Sequence, residues 1–303
     1  MYESGRIKAL IVHEQASHMH GELRVAIAIH GFYMDAFDEI LDLSQALPTQ
    51  YKLFVTTVPR HEAVVRARLD AAGRDYSLGV FENRGRDVLP FLRMFRDIRA
   101  EGFDVVVKVH TKKSPHLRDG DSWRRMLVSA LLQPQALQRL TSAFAADPSL
   151  GIVGPEGHFL SLARYMGGNE ARVLAIARRL GLERPQLLDA GYCAGTMFMA
   201  RTDVIAPLVD LGFTAGDFEA EANQIDGTMA HAFERCLGLG AVALRRRIAS
   251  SADPFGYADF NDRYAFARQL RGPPFSARLN FSFKVARDNV GSALRRMLSR
   301  SGE

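Results

Sequence analysis

The chain has 303 residues, 47% of them hydrophobic and 24% charged, and a formal net charge of +5. This composition excludes a disordered chain and allows a full buried core, as one large domain or a domain with an appendage; the positive balance suits an anionic partner such as a nucleotide, an acidic membrane surface or nucleic acid. Two cysteines, Cys193 and Cys236, lie in apolar settings without zinc-site spacing, and there is neither a basic-then-apolar leader nor an apolar run of about 20 residues, so a cytoplasmic protein with buried free thiols is expected.

Apolar runs of strand length alternate with segments of helical period, which predicts an α/β fold: a Rossmann-like, mainly parallel sheet flanked by helices. Leu23 to His30 reads as the first strand, and Asp35 to Leu47 as a helix with Phe37, Ile40, Leu41 and Leu43 at helical spacing, closed by Pro48. Tyr51 to Thr57 is the second strand, and Pro59 opens a helix ending near Gly73, its missing N–H costing nothing in a first turn. Tyr76 to Phe81 is the third strand, Val88 to Ala100 a helix with Leu89, Leu92, Phe95 and Ile98 on one face, and Phe103 to Val109 the fourth strand. Asp121-Ser122-Trp123 has the composition of a helix N-cap ahead of helices over Arg124 to Leu132 and Gln135 to Ala146. Leu150 to Gly154 is a fifth strand and Glu170 to Leu180 an amphipathic helix with Arg172, Arg178 and Arg179 outward. Tyr192 to Ala200 reads as a sixth strand, in which Gly195 marks the close approach of a ligand or another backbone. The acidic stretch from Phe218 leads into a helix ending at Leu237, and Ala241 to Ile248 is the last strand.

The third and fourth strands break into polar clusters, Asn83-Arg84-Gly85-Arg86-Asp87 and His110-Thr111-Lys112-Lys113-Ser114. In an open α/β sheet these are strand C-termini, the edge where ligands bind. With the two strands as neighbours, Arg84, Arg86, Lys112 and Lys113 converge there with the hydroxyls of Thr111 and Ser114 and with loop N–H groups, a set suited to a di- or triphosphate. The competing reading of each cluster is a solvated loop, because Arg and Lys are mostly exposed. Asp87 alternatively pairs with a neighbouring Arg, and His110 either binds phosphate or caps its strand.

Beyond Pro254 the composition changes to Pro273-Pro274, scattered aromatics and the cations Lys284, Arg287, Arg295, Arg296 and Arg300. Val285 to Leu298 fits a basic amphipathic helix, either lying peripherally on an anionic membrane or packed on the domain. The expected organisation is an N-terminal extension over 1–22, one domain over 23–250 and a basic, aromatic-containing C-terminal extension over 251–303.

The ordered motifs Asn83-Arg84-Gly85-Arg86-Asp87 with Pro90-Phe91, His110-Thr111-Lys112-Lys113-Ser114, Trp123-Arg124, Ala194-Gly195-Thr196-Met197-Phe198, and Gln224-Ile225-Asp226-Gly227-Thr228 with His231 and Glu234-Arg235 resemble the rhamnan synthesis protein F family, over about Leu23 to Ile248. The resemblance implies a bacterial glycosyltransferase of cell-surface polysaccharide assembly, rhamnose polymers and O-antigens included. It also implies a GT-A-like fold, a nucleotide-sugar donor, commonly dTDP-L-rhamnose, and a glycan or lipid-linked oligosaccharide acceptor. One departure stands out: most GT-A enzymes hold a divalent metal with an Asp-x-Asp after the fourth strand, and here His110 to Ser114 takes that place. Cations neutralise a leaving diphosphate directly, so no metal cofactor is expected. Asp119-Gly120-Asp121 spells an Asp-x-Asp, yet it lies several residues past the strand and Asp121 is explained as a cap.

Glycosyl transfer needs a base for the acceptor hydroxyl. By the GT-A expectation it opens the helix after the sixth strand, which makes Asp226 the first candidate and Glu221 the second within the acidic run that includes Asp217 and Glu219. A turn or helix cap competes for Asp226, since Asp-Gly-Thr is good turn chemistry. Trp123 and Arg124 line the acceptor side or the core, with Gly195, Thr196, Gln224 and His231 in support; His231 also reads as a satisfied core histidine. Phe32 or Tyr33, after His30, suits stacking on a nucleotide base. Two other classes fit the same cations: a phosphoribosyl-type transferase using phosphoribosyl pyrophosphate, and a non-catalytic module binding nucleotide-sugar or glycan. No nucleic-acid motif is present, and no nucleic-acid partner is expected.

Overall fold

The structure, a computed structural model, describes residues 23–48, 50–113, 120–222, 224 and 226–260. Its first half alternates strands and helices: β1 (Val25–Gly31), α1 (Met34–Gln45), β2 (Lys52–Thr57), α2 (Glu62–Ala72), β3 (Tyr76–Val80), α3 (Val88–Ala100) and β4 (Val105–His110). Continuous apolar runs such as residues 25 to 29 are what a strand covered on both faces requires. The second half contributes α4 (Gly120–Leu132), α5 (Pro134–Ala146), β5 (Leu150–Gly154), β6 (Phe159–Ser161), α6 (Leu162–Tyr165), α7 (Glu170–Arg179), α8 (Arg184–Leu188), β7 (Gly191–Cys193), β8 (Phe198–Arg201), α9 (Thr202–Asp210), α10 (Met229–Cys236), α11 (Leu239–Ala243) and β9 (Arg247–Ser250).

Seven strands form one sheet in the order β3-β2-β1-β4-β8-β5-β9. Neighbours run parallel except at β8, which is antiparallel to both β4 and β5. The chain moves outward from β1 to β3, and α3 then carries it back to the far side of β1, so the strand order reverses between β1 and β4. Such a reversal opens a crevice at the carboxyl ends of the two strands, where ligands bind in doubly wound sheets. His30 and His110, paired in register, stand at that point.

The α/β class and the mainly parallel sheet follow the sequence alternation, but the third and fourth strands are not neighbours, because β2 and β1 lie between them. Their polar loops still meet: residues 81–87 return across the sheet edge and bring Asp87 against Lys108 of β4. The expected sixth strand is two. Strand β7 pairs with β6 in a separate ribbon, and a turn at Gly195 (φ 86°) and Thr196 (φ 54°) redirects the chain into β8. Positive φ is open to glycine and rare for threonine, so apolar periodicity concealed the break. The expected last strand begins as helix α11 and becomes strand only at Arg247. Helix α4 starts at Gly120, which puts Asp121 in its first turn, where a carboxylate favours the helix dipole, rather than before it. Ser114, Asp119 and the basic helix expected over Val285 to Leu298 lie outside the described residues. Among those described, no helix is long and apolar enough to cross a membrane.

Strand alternation divides the core. Val25, Ile27, Ile29, Val105, Val107 and Val109 pack with α1, α2, α4 and α5, whereas Ala26, Ala28 and Val106 pack with α3, α7, α9 and α10. The same alternation directs His30, Lys108 and His110 toward the α3 side at the strand ends.

Candidate functional site

The crevice between β1 and β4 is built on one buried ion pair. The Lys108 side chain, 2% exposed, donates to Asp87 Oδ2 at 2.6 Å, to the Thr196 carbonyl at 2.9 Å and to Thr196 Oγ1 at 3.1 Å. The Thr196 hydroxyl in turn donates to Asp87 Oδ2 at 2.5 Å. All three ammonium hydrogens are used, as a buried cation requires. Burial pushes the Asp87 carboxyl up, but Lys108, His110 and Lys112 together hold it well below the usual carboxylate range. These bonds also over-determine the left-handed conformation of Thr196.

His110 donates from Nε2 to the Gly195 carbonyl at 2.6 Å and accepts the Lys112 N–H on Nδ1 at 3.3 Å. A ring nitrogen that accepts leaves the imidazole neutral, and burial lowers its pKa to about 4 against the opposing pull of Asp87. The Gly195 N–H goes to Glu234 Oε1 at 2.8 Å, so this peptide is clamped between β4 and α10. Trp123 covers it: a Cβ at residue 195 would stand 3.3 Å from the indole ring. Trp123 is only 8% exposed, and its Nε1 donates to the buried His158 Nε2 at 3.0 Å. Thr111 is also buried, and its hydroxyl accepts the Phe32 and Tyr33 N–H groups at 2.8 and 2.9 Å, joining β4 to the entry of α1. Arg124, buried as well, pairs with Glu39 at 2.8 Å.

The four cations of the polar clusters behave differently. Lys112 and Lys113 follow β4 and have different surroundings. Lys113 turns to α1, pairing with Asp35 and lying 5.7 Å from the Tyr33 ring centre. Lys112 stays exposed with no ion pair among the described residues, and its charge acts on Asp87, His110 and His231. Arg86, held at a left-handed φ of 55°, donates from Nη1 to His231 Nε2 at 2.7 Å and from Nη2 to the Gln224 carbonyl, with Nε 3.4 Å from Glu221. Arg84 meets the same segment through a backbone bridge to Ala220, and Asn83 is exposed on the loop. A guanidinium only donates, so His231 accepts on Nε2 and carries its proton on Nδ1, toward Thr228 Oγ1 at 2.8 Å. Burial first, then Arg86, lowers the His231 pKa to about 4. Arg86 therefore binds a neutral imidazole whose pKa the Lys112 charge also lowers.

Asp226 lies on the segment that crosses Arg86. Its Oδ1 accepts from Asn169 Nδ2 at 2.7 Å and Arg235 Nη2 at 3.3 Å, and its Oδ2 from the Gly168 N–H at 3.3 Å. Burial raises its pKa, but Arg235 and the Asn169 bond outweigh it and hold the carboxyl below its usual value, with the side chain 40% exposed. The other carboxylates of the run have structural partners: Glu221 with Arg86, Glu219 with Arg172 and the Met229 N–H at 2.8 Å each, and Asp217 in a capping box with Thr214. The Gln224 amide folds back on its own loop, to the Ala220 carbonyl and the Ala222 N–H.

Several site residues carried no role in the sequence reading. Lys108 did leave a signal, since a lone lysine among four valines in a buried strand must find a buried partner. Glu234 and Arg235 belong to the last of the ordered motifs without a role assigned to either, and nothing in the sequence singles out Gly167, Gly168 and Asn169. Among the described residues no group of three or more His, Cys, Asp or Glu side chains is placed to hold a metal ion, and Asp121 faces Arg124 at 3.8 Å.

The profile of Rhamnan synthesis protein F matches residues 7–245, so the likeness starts before Leu23, inside the segment expected to lie outside it. Two curated relatives share 35% identity with the chain over 243 residues: the uncharacterized proteins WxcX of Xanthomonas campestris pv. campestris strains B100 and ATCC 33913. Each alignment takes in 77% of this chain and 35% of the relative, so the chain spans about a third of the length of these relatives.

Proposed function

Because the chain belongs to the rhamnan synthesis protein F family, we propose that it serves bacterial polysaccharide synthesis by transferring a sugar, rhamnose first among candidates, from a nucleoside-diphosphate donor to a glycan acceptor. The observation that carries this reading is Arg86 bonded to a neutral His231 that also lies in the fields of Lys112 and Asp226, on the loops beside the point where the strand order reverses. The strand order also supports a GT-A-like domain. In the transition state the bond from sugar C1 to phosphate oxygen breaks while the acceptor oxygen bonds to C1, and negative charge builds on the leaving diphosphate. Lys112, exposed and unpaired among the described residues, is the first ligand for that charge, with Arg84 from the facing loop. Arg86, whose donors go to its own chain, shapes the crevice and adds its field. Asp226 receives the acceptor proton. With cations at the strand end, the transfer needs no divalent metal.

Thermal-shift screening against dTDP, UDP, GDP and phosphoribosyl pyrophosphate, each with EDTA and with Mn²⁺, tests donor class and metal use, since a ligand of the native state raises the melting point. A nucleoside diphosphate is expected to stabilise the protein equally in EDTA. Stabilisation by phosphoribosyl pyrophosphate alone, by Mn²⁺ complexes alone, or by no compound contradicts the reading.

A further inference from the structure

We propose that Asn169, together with the Gly167-Gly168 turn before it, is a positioning residue that fixes the orientation of the Asp226 carboxylate. The catalytic consequence rests on Asp226 being the base; the geometric claim does not.

Asn169 occupies the N-cap position of α7, where an asparagine ordinarily caps the helix, yet its side chain makes no cap bond. The residue is 0% exposed and directs Nδ2 to the Met166 carbonyl at 3.1 Å and to Asp226 Oδ1 at 2.7 Å. Turning the amide over would set its oxygen against that carbonyl and that carboxylate, so its orientation is fixed. Its Oδ1 is left buried without a partner. An orphaned buried acceptor is destabilising, and here it accompanies an amide whose two hydrogens serve the turn and Asp226.

The neighbouring glycines act on the other oxygen. Gly168 donates its N–H to Asp226 Oδ2 at 3.3 Å. Gly167 has a left-handed φ of 58°, and a Cβ there would stand 2.7 Å from Oδ2, so any side chain would displace the carboxylate. Arg235 closes the opposite side, itself locked by bonds from Nε to the Tyr165 carbonyl and from Nη1 to the His231 carbonyl, both 2.8 Å. Asp226 is thus faced by Arg235 and His231 from α10 and by the Gly167–Asn169 turn. Oδ1 is doubly anchored, at 2.7 and 3.3 Å, while Oδ2 accepts a single bond at 3.3 Å, which leaves Oδ2 to accept a proton from an acceptor hydroxyl.

Carbon-13-detected titration of the Asp226 carboxyl in the full chain tests this without any substrate. In Asn169→Ala the midpoint is expected to rise, and in the isosteric Asn169→Asp, which sets a second carboxylate against Oδ1, the two carboxyls should titrate as a coupled pair with one midpoint raised by more than one pH unit. Asn169→Asp keeps the test available should the alanine variant fail to fold. Midpoints unchanged in both folded variants overturn the proposal. In turnover of dTDP-L-rhamnose, the acid limb of kcat/KM should move with the midpoint, and Asn169→Ala should cause no further loss once Asp226→Asn is present. Full turnover in Asp226→Asn alone, with the midpoint still shifted in Asn169→Ala, rejects Asp226 as base and supports the positioning role.

Discussion

Lys108→Met is expected to destabilise the protein by about 3–5 kcal/mol, because it strands the buried Asp87 carboxylate beside Thr196 with no ammonium to answer it. The double variant Lys108→Met/Asp87→Leu should recover most of that loss, since replacing a buried ion pair by apolar side chains is often neutral. Urea unfolding of the three proteins decides the matter. A single variant as stable as the wild type, or a double variant less stable than the single, contradicts the assignment of Lys108 and Asp87 as one unit. The pair also ties the loop before α3, strand β4 and the turn before β8 together, so crevice binding should fall in the single variant even where it stays folded.

Acid should weaken the fold between pH 6.5 and about 4. His110, His158 and His231 are buried, and burial lowers each from 6.5 to about 4. The unfolded chain takes up these protons below pH 6.5, whereas the folded chain resists them until about pH 4. Unfolding therefore binds protons in this window, and stability falls as pH falls. Each histidine contributes on the order of 3 kcal/mol by pH 4, so two of them rival a sizeable part of the 5–15 kcal/mol typical of a domain. Asp87 acts in the same direction further down: its carboxyl is held well below the usual range, so its contribution is lost as pH falls below that range. Melting temperatures measured from pH 7 to pH 4 should drop steeply through this window; a flat profile contradicts the neutral, buried state of these rings.

The first half of the fold was legible because its elements repeat a strong pattern: the limits of α3 follow directly from its apolar spacing and the polar loop before it, β1 and β4 from their valine and isoleucine content, and β2 from its Leu-Phe-Val-Thr-Thr run. Elements governed by backbone conformation were not. The turn at Gly195 and Thr196 interrupts a run that reads as one strand, and nothing in the apolar content of residues 241–248 separates helix α11 from strand β9. The residue types gathered at the candidate site were legible in the sequence, and their partnerships were not. Arg86 meets His231 across 145 residues of sequence, and Lys108 meets Asp87 across 21. Lys113 turns to Asp35 while Lys112 stays exposed, a parting that residue type alone does not reveal.

The most direct test is calorimetric titration of dTDP into the wild-type protein and into Lys112→Ala, a surface change that should leave the fold intact. A charge-assisted contact to phosphate contributes about 1.5–3 kcal/mol, so the variant should bind dTDP at least tenfold more weakly, with or without EDTA. Equal affinity in the two proteins contradicts a diphosphate held at the ends of β1 and β4.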